Sequence, residues 1–379
     1  MVNRNRWQES IEKAWQSRPV VWLAGVRRAG KTCLAQSLDK IEYFDCELPR
    51  ARAMMDDPEG FWDGLKGKRV VLDEVHRLDN PSELLKIAAD HYPTVRVLAT
   101  GSSTLGASSK FRDTLAGRKS DLWLTPMTGA DLDDFGNRDL KHRFLRGGLP
   151  PFFLARTLPD RDFQEWMDAY WAKDIQELFR LERRSAFLKL AELLFVQAGG
   201  IFEARKLAQP CGVSQPTVAN YLKVLEETFV VHVVRPFHTH RPREIISAPK
   251  VFAFDTGFVC YFRGWTALRN TDLGILWEHF VLNEIHAATQ SRAIGYWRDK
   301  QKHEIDFIWA PRGRAPLAIE CKWSVRDFDA EPLQVFRRMH PSGENVVVAH
   351  DVDRPFRKTW GDVTVHFENL PGLLRRLKP

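Results

Sequence analysis

The chain of 379 residues is 44% hydrophobic and 28% charged, which is ordinary for a globular protein and long enough for two or three domains. Its 56 Lys and Arg against 49 Asp and Glu give a net charge of +7, a mild basic excess that permits contacts with nucleic acid without requiring them. The five cysteines are odd in number and form no CxxC pair, so neither a disulfide framework nor a zinc site is expected. We expect a cytoplasmic protein with no membrane partner, because the sequence has neither a signal-peptide pattern nor an apolar stretch of about 18 residues.

The first element that carries chemistry follows the apolar run "VVWLA", which predicts a buried strand. Residues Gly25 to Thr32 read G-V-R-R-A-G-K-T and satisfy the phosphate-loop pattern G-x-x-x-x-G-K-[ST] at every fixed position. Such glycines let backbone N–H groups converge on phosphate oxygens, while the helix predicted over "KTCLAQSLDK" directs its positive end at the same anion. Lys31 is expected to reach the β- and γ-phosphates of ATP, and the Thr32 hydroxyl is expected to bind Mg²⁺. The residues predicted to contact the nucleotide are Gly25, Arg28, Ala29, Gly30, Lys31, Thr32 and Cys33.

Two further strands are predicted to complete the nucleotide site. The segment "KRVVLDEVHRL" is a short apolar strand that ends in Asp73 and Glu74, the layout of a Walker B segment. Asp73 is expected to hold Mg²⁺, and Glu74 is expected to orient and deprotonate the attacking water. The strand in "TVRVLATGSSTL" ends in Thr100, Ser102 and Ser103, of which Ser102 is our candidate for sensing the γ-phosphate. Serine and glycine clusters also mark ordinary turns, so this second interpretation stays open.

These motifs, together with "DTLAGRKSDLWLTPMT", resemble the AAA-type (AAA_14-like) ATPases that carry a C-terminal DUF4143 region. The resemblance implies that Arg118, in "LAGR", is an arginine finger that stabilises charge on the transferred phosphoryl group. The finger could act within one chain or in trans, and in the second case the active ATPase is a homo-oligomer. A surface arginine in a loop is the alternative.

The middle of the chain begins with a predicted domain boundary in "HRFLRGGLPPFFLARTLPD", which is rich in glycine and proline. A helical run over residues 161–199 follows, in which Trp166, Tyr170 and Trp171 are expected to be packing residues. Next comes a predicted helix, a turn, a second helix capped by Ser214, and a strand, which is the layout of a winged helix. Contacts with DNA are predicted for Gln215, Thr217, Asn220, Lys223, Arg235, Arg241, Arg243 and Lys250. A lid or packing role for this region is the alternative.

The C-terminal region combines a helix, "GILWEHFVLNEI", with a predicted β-hairpin over "HEIDFIWAPRGRAPLAIECKWS". A turn at Gly313 would put Asp306 opposite Glu320, roughly 5 Å apart at Cβ, which suits two carboxylates that share a divalent metal. Lys322 lies two residues along the same face. With Glu278 on the helix, this pattern resembles the PD-(D/E)xK nuclease core, a feature of the DUF4143 region. The resemblance implies that Glu278, Asp306 and Glu320 bind Mg²⁺ and that Lys322 helps to activate water, while a solvated charged cluster is the alternative.

The sequence therefore predicts an α/β P-loop domain with a parallel sheet at residues 1–140. It also predicts a helical and winged-helix region at 141–240 and a restriction-endonuclease-like α/β domain at 241–379. The predicted function is Mg²⁺-dependent ATP hydrolysis that controls binding or processing of DNA or another nucleic acid. An ATP-dependent switch or scaffold with an idle nuclease-like fold and a protein partner is the first alternative, and a nucleotide-gated effector is the second.

Overall fold

A computed structural model describes residues 2–101, 115–157, 160–179, 181–237 and 248–377. The strands are β1 Val20–Ala24, β2 Ile41–Asp45, β3 Arg69–Asp73, β4 Arg96–Gly101, β5 Lys119–Trp123, β6 Gly200–Ile201, β7 Val231–Pro236, β8 Lys250–Ala253, β9 Ile294–Arg298, β10 Glu304–Trp309, β11 Leu317–Lys322, β12 Asn345–Ala349, β13 Phe356–Trp360 and β14 Val363–Glu368. The α-helices are α1 Asn5–Ser17, α2 Lys31–Gln36, α3 Pro49–Met54, α4 Pro58–Asp63, α5 Pro81–His91, α6 Gly129–Asp134, α7 Leu140–Arg146, α8 Pro150–Phe153, α9 Asp160–Ala169, α10 Gln176–Phe179, α11 Arg184–Val196, α12 Ala204–Cys211, α13 Gln215–Glu227, α14 Thr256–Phe262, α15 Asn270–Thr289, α16 Glu331–Met339 and α17 Leu370–Arg376.

The chain divides into two compact units whose segments alternate along the sequence. Unit 1 comprises Met1–Asp139, Gly148–Leu188 and Leu222–Val230, and unit 2 comprises Leu140–Gly147, Lys189–Tyr221 and Val231–Pro379. The three consecutive domains predicted above stay a prediction. Across the described ranges, no helix combines the length and the apolar character that crossing a lipid bilayer requires.

Unit 1 is built on a five-stranded sheet in the order β2-β3-β4-β1-β5, in which every neighbouring pair is parallel. The inner strand β1, which lies between β4 and β5, is buried at all of its positions, as expected for a strand covered on both faces. Because the strands are parallel, the carboxyl ends of β1, β3 and β4 meet at one edge of the sheet. The predicted parallel-sheet α/β fold is confirmed, and this edge is where the candidate nucleotide residues lie.

The helical run predicted over residues 161–199 is interrupted rather than continuous. After α9, Tyr170–Ile175 forms a turn of π-helix that leads into α10, and α11 begins only at Arg184. Trp166, Tyr170 and Trp171 are buried, as predicted for packing residues. Apolar side chains spaced at 3.6 residues predict an α-helix and do not distinguish a wider π-helical turn within it.

Unit 2 contains a mixed nine-stranded sheet in the order β13-β14-β12-β11-β10-β9-β7-β8-β6. The predicted hairpin is confirmed: β10 and β11 are antiparallel, Phe307 pairs with Ile319, and Gly313 has φ 82° in the connecting turn. Apolar side chains of the strands and of α16 form a core that includes Ile305, Leu333 and Val347. The long helix α15 is tied to this sheet by Trp277, whose indole N–H donates to the carbonyl of Val348 over 3.1 Å.

The helices α12 and α13 and the strand β7 follow in the order that the sequence predicts. The backbone N–H of Thr217 donates to Ser214 Oγ over 3.3 Å, which confirms Ser214 as the cap of α13. Gln215, Asn220 and Lys223 are exposed on this helix. Exposure is the condition for a nucleic-acid contact but does not demonstrate one, so the DNA-reading role stays a prediction.

Candidate functional site

The loop between β1 and α2 has a conformation that depends on its glycines. Gly25 has φ 153° and Gly30 has φ 96°, values that L side chains rarely adopt. A Cβ atom at Gly25 would also lie 2.5 Å from the carbonyl oxygen of Leu124, far inside van der Waals contact. The backbone therefore turns sharply at the carboxyl end of β1 and enters α2 at Lys31, as a phosphate-binding loop requires.

Lys31 is buried within this loop. Its ammonium group donates to the carbonyl oxygens of Gly25 and Val26 over 2.8 Å and 3.2 Å. Burial lowers its pKa, while the acidic residues Glu74 and Asp174 oppose that decrease. The Lys31 ammonium group is poorly solvated and has few hydrogen-bond partners. An anionic ligand bound beside it would therefore stabilise its positive charge.

Asp73 ends β3 beside the loop, and hydroxyl groups engage both of its carboxylate oxygens. Thr32 Oγ1 donates to Asp73 Oδ2 over 2.8 Å, and the Tyr43 hydroxyl donates to the same oxygen over 2.6 Å. Thr100 Oγ1 donates to Asp73 Oδ1. The Thr32 hydroxyl and the Asp73 carboxylate are oxygen ligands of the kind that Mg²⁺ prefers, so the pair fits the predicted cation.

Glu74 follows Asp73 in a left-handed backbone conformation, with φ 51°. Its backbone N–H donates to Thr100 Oγ1 over 3.0 Å, and its Oε2 lies 3.3 Å from His76 Nδ1. Burial raises the pKa of Glu74, and the charge of Lys31 opposes part of that rise. A carboxylate with a raised pKa is a better base near neutral pH than an ordinary glutamate, which supports the predicted role of Glu74 as the residue that deprotonates water.

These side chains line a cavity of about 800 Å³ in unit 1. Its polar lining includes Arg27, Lys31, Thr32, Asp73 and Glu74, and its apolar lining includes Phe135, Pro150, Pro151 and Leu154. Small-molecule sites usually occupy about 300–1,000 Å³ and combine apolar walls with a few polar groups. The cavity therefore has the size and the chemistry for a nucleoside triphosphate.

Two residues outside the motif hold the phosphate loop in place. Arg4 donates to Asp131 through Nε and Nη2 over 2.7 Å and 2.8 Å, and its Nη1 donates to the carbonyl of Ala29 over 2.9 Å. The indole N–H of Trp166 donates to the carbonyl of Arg27 over 3.0 Å. These bonds fix two loop carbonyls, so the N–H groups on the other side of the same peptide planes are oriented as well.

Unit 2 assembles the second predicted group of charged residues on the hairpin and α15. The hairpin register, extended by one position beyond Phe307 and Ile319, sets Asp306 opposite Glu320. Asp306 Oδ2 accepts the backbone N–H of Cys321 over 2.7 Å and lies 3.9 Å from Lys322 Nζ. Lys322 Nζ donates to Glu320 Oε2 over 2.8 Å. The predicted neighbours Asp306, Glu320 and Lys322 are therefore brought together.

A second lysine, Lys250, was predicted to lie in a wing but belongs to this cluster. Lys250 Nζ lies 3.7 Å from Glu278 Oε1 and also pairs with Glu304. Burial raises the pKa of Glu278 and of Glu320, and the charge of Asp306 adds to the rise in both. Glu278 Oε1 and Glu320 Oε1 are buried without a hydrogen-bond donor among the described residues. The cluster is thus crowded with negative charge that two lysines only partly balance.

The predicted Mg²⁺ site of Glu278, Asp306 and Glu320 is not preformed. Within the ranges that the structure describes, no group of three or more His, Cys, Asp or Glu side chains is arranged to hold a metal ion. Lysine ammonium groups lie close to all three carboxylates, because their positive charge lowers the cost of burying so much negative charge. The sequence predicts which carboxylates lie close together, but it does not predict that lysine ammonium groups pair with them.

Comparison with known families agrees with the geometry of unit 1. Residues 17–132 match the model of the family AAA_14, described as an AAA domain, and residues 273–367 match DUF4143, a domain of unknown function. The chain carries an AAA domain followed by a DUF4143 domain. Between them, residues 137–269 match DUF8612, also described as a domain of unknown function. The AAA domain implies nucleotide binding, and its matched range contains the phosphate loop, Asp73 and Glu74.

Related chains extend over most of the sequence. Two uncharacterized mycobacterial proteins, Mb2031c of Mycobacterium bovis and Rv2008c of Mycobacterium tuberculosis, are each 29% identical over 334 residues, covering 85% of this chain and 74% of theirs. A solved structure, the Walker-type ATPase paby2304 of Pyrococcus abyssi, is 15% identical and aligns with 69% of this chain and 96% of that one, with a TM-score of 0.45.

Two more catalytic residues were predicted for the AAA domain, Ser102 and Arg118. Ser102 lies outside the described residues, as do Ser103, Arg241 and Arg243. Arg118 binds Asp90 through Nε over 2.6 Å, and it precedes β5, whose residue Lys119 pairs with Val20 at the amino end of β1. The phosphate loop lies at the opposite, carboxyl end of β1. The role of Arg118 as an arginine finger stays a prediction.

Sequence reasoning missed four residues that shape the nucleotide site of the AAA domain: Arg4, Arg27, Tyr43 and Asp174. Arg4 and Asp174 are far from the nucleotide-binding motifs along the chain, and no spacing rule connects them to these motifs. Arg27 occupies a variable position of the motif itself, so its side chain carries no signal. Tyr43 had the one usable signal, since it lies near the end of β2, a strand whose carboxyl end shares the edge with Asp73.

Proposed function

We propose that this protein binds ATP with Mg²⁺ in the unit 1 cavity and hydrolyses the bond between the β- and γ-phosphates. The observation that carries the proposal is the arrangement of Lys31, Thr32, Asp73 and Glu74 around one cavity at the end of a parallel sheet. Bound Mg²⁺ would neutralise phosphate charge between Thr32 and Asp73. Lys31 and Arg27 supply further positive charge, and Glu74 accepts the proton of the attacking water.

Three variants separate binding from hydrolysis. Lys31→Ala removes the buried cation and is expected to abolish ATP binding. Glu74→Gln keeps the shape of the base without its charge and should still bind ATP while turnover falls roughly 10²- to 10⁴-fold. Glu42→Gln is a matched control, because Glu42 is a half-exposed acid on β2 that pairs with Lys68 at the surface. Calorimetric titration with ATP and release of inorganic phosphate are the two readouts, and undiminished turnover in Glu74→Gln would refute its assignment.

We propose that Arg118 is an arginine finger and that the active ATPase is a homo-oligomer. Arg118 at the amino end of β5 would reach a nucleotide held by a second copy of the chain, and Arg118→Ala should then reduce turnover while ATP affinity is retained. Mixing Arg118→Ala with Lys31→Ala distinguishes the two modes of action. In a mixture, an interface that combines an intact finger with an intact phosphate loop can form, so partial recovery of turnover supports action in trans and no recovery speaks against it.

We also propose that nucleotide state is coupled to nucleic-acid binding through α12, α13 and the strands that follow. The support is the capped helix α13 with exposed Gln215, Asn220 and Lys223, groups that can contact bases or phosphates. ATP hydrolysis with and without double-stranded DNA tests it, and Lys223→Ala should weaken any stimulation. Indifference to DNA favours the scaffold alternative, in which this surface binds a protein.

Metal-dependent phosphodiester cleavage in unit 2 is a second candidate function. The observation in its favour is that Glu278 Oε1 and Glu320 Oε1 are each buried without a hydrogen-bond donor among the described residues, so each oxygen retains the capacity to bind a cation. Lys322, 2.8 Å from Glu320, is placed to hold a water or to stabilise a leaving oxygen. DNA and RNA incubated with Mg²⁺ or Mn²⁺ test this function. Cleavage lost in both Asp306→Asn and Lys322→Ala supports the site, and cleavage that persists in them places the activity elsewhere.

A further inference from the structure

The turn of π-helix at Tyr170–Ile175 brings a carboxylate to the phosphate loop. Asp174, on this turn, is only 4% exposed, and its Oδ2 lies 3.5 Å from Arg27 Nε within the loop. Asp174 and its neighbour Lys173 line the same cavity as Lys31, Thr32 and Asp73. A π-helical turn is rare and is often found at functional sites, since it displaces side chains from the positions that an α-helix would give them.

A buried carboxylate is unexpected at a site for a triphosphate, because it repels the ligand. It also attracts the cations on which the ligand depends. Asp174 pairs with Arg27, and its charge raises the pKa of Lys31 against the effect of burial. Arg27 Nε is buried and has no hydrogen-bond acceptor among the described residues, so at 3.5 Å the pair is an ion pair without a direct bond at that atom. Arg27 is therefore only partly satisfied by Asp174 and can take a better partner.

The same helical run touches the loop a second time. Trp166, on α9, donates its indole N–H to the carbonyl of Arg27 over 3.0 Å. The backbone of Arg27 is thus held by one residue of the run and its side chain by another. If the Arg27 side chain changes its partner, the π-helical turn loses its contact with Arg27 through Asp174. The loop backbone stays bound to Trp166.

We propose that Asp174 is an internal counter-ion of the phosphate site, which holds Arg27 until a nucleotide phosphate takes its place. The inference rests on the proposed nucleotide function of this cavity and adds a regulatory contact to it. Phosphate competes with Asp174 for Arg27, so binding of ATP releases the turn at 170–175 from the loop. The nucleotide state is then read by the helical run over 160–179, which is the relay that the motifs leave undefined.

Asp174→Asn tests the competition, since it keeps the shape of the side chain and removes its charge. We expect ATP and inorganic tripolyphosphate to bind roughly tenfold more tightly, a change equal to about 1.4 kcal/mol, while adenosine binding is unchanged. Asp168→Asn is the matched control: it removes one negative charge from the same helical run, at an exposed residue paired with Arg184 at the surface. The control should bind all three ligands like the wild type.

The outcomes separate this inference from the proposed function. Wild-type protein that retains neither ATP nor tripolyphosphate contradicts the nucleotide function itself. Wild-type protein that binds ATP, with a folded Asp174→Asn variant that binds it equally or more weakly, overturns only the counter-ion role. If the variant does not fold, amide hydrogen exchange of the wild type tests the proposal instead. ATP should speed exchange at residues 170–175 and slow it at residues 25–33. Unchanged or slower exchange at 170–175 would overturn the proposal.

Discussion

Replacing Asp131 by Asn removes the charge from a carboxylate that holds the N-terminal segment against the phosphate loop. Asp131 is fully buried and accepts hydrogen bonds from Arg4 over 2.7 Å and 2.8 Å. It also accepts the indole N–H of Trp7 over 3.3 Å and both the backbone N–H and the hydroxyl of Thr128 over 2.8 Å. Arg4 in turn reaches the carbonyl of Ala29, so the change should be felt in the loop as well.

The expected cost follows from the burial of both partners. Arg4 and Asp131 have side-chain exposures of 4% and 0%, so water cannot replace the lost charge. Breaking a buried ion pair on one side costs about 3–5 kcal/mol, and we expect the lower end, about 3 kcal/mol, because Asn keeps one acceptor oxygen. The amide N–H₂ group that Asn introduces faces guanidinium donors, so it adds no compensating bond. ATP affinity should fall as the carbonyl of Ala29 loses its restraint.

Urea unfolding followed by tryptophan fluorescence measures the effect, since Trp7 lies against Asp131. Asp133→Asn is the control, because Asp133 is an exposed acid on the same helix that pairs with Arg138 at the surface, and it should change stability by less than about 0.5 kcal/mol. An Asp131→Asn variant that loses less than about 1 kcal/mol would refute the reasoning, since that is no more than an exposed ion pair contributes.

Three other predictions concern the same unit. Tyr43→Phe removes the hydroxyl that occupies Asp73, so half-maximal turnover should need roughly two- to tenfold less Mg²⁺, as a Mg²⁺ titration of phosphate release would show; an unchanged or higher requirement contradicts it. Gly25→Ala should abolish ATP retention, because its Cβ would lie 2.5 Å from a backbone oxygen, whereas Gly67→Ala, at φ 75° with open space around it, should retain ATP. Burial alone would raise the pKa of Asp131, but its bonds with Arg4 and Thr128 together outweigh burial and lower the pKa. The contribution of Asp131 to stability is therefore present above about pH 4 and is lost as the pH falls through the lower folded value. Between about pH 6 and pH 3 the wild type should therefore lose more stability in urea than Asp131→Asn, and parallel curves would contradict this.

The parts of the site that sequence reasoning found share one property: each is set by local backbone geometry. Gly25, Gly30 and Lys31 belong to a turn of fixed length between a strand and a helix, and Asp73 ends a strand of the same sheet. Parallel strands bring their carboxyl ends together in any such sheet, so strand ends predict neighbours without knowledge of packing. The alternation of the hairpin likewise placed Asp306 opposite Glu320 from the spacing of the turn alone.

The charged partners of the second cluster illustrate where such reasoning stops. Lys250 was placed in a wing as a candidate for phosphate contact, yet its ammonium group lies against Glu278 and Glu304 in the cluster. A buried lysine needs a carboxylate, and which one it reaches depends on the order of strands in the sheet. Strand order depends on long-range pairing, which leaves no mark in the spacing of nearby residues.

The amino-acid order alone was enough to establish a phosphate loop, a strand ending in two acids, a capped helix at Ser214 and a hairpin that carries Asp306 and Glu320. Each of these follows from backbone conformation or from side-chain alternation within a short stretch of chain. The contacts of Arg4 with Asp131 and of Arg27 with Asp174, and the position of Arg118 at the far end of its strand, emerged only from the assembled fold. These contacts join residues that are distant along the chain. They form because a buried charge is costly without a partner and pairs with an opposite charge that the packed elements bring close to it.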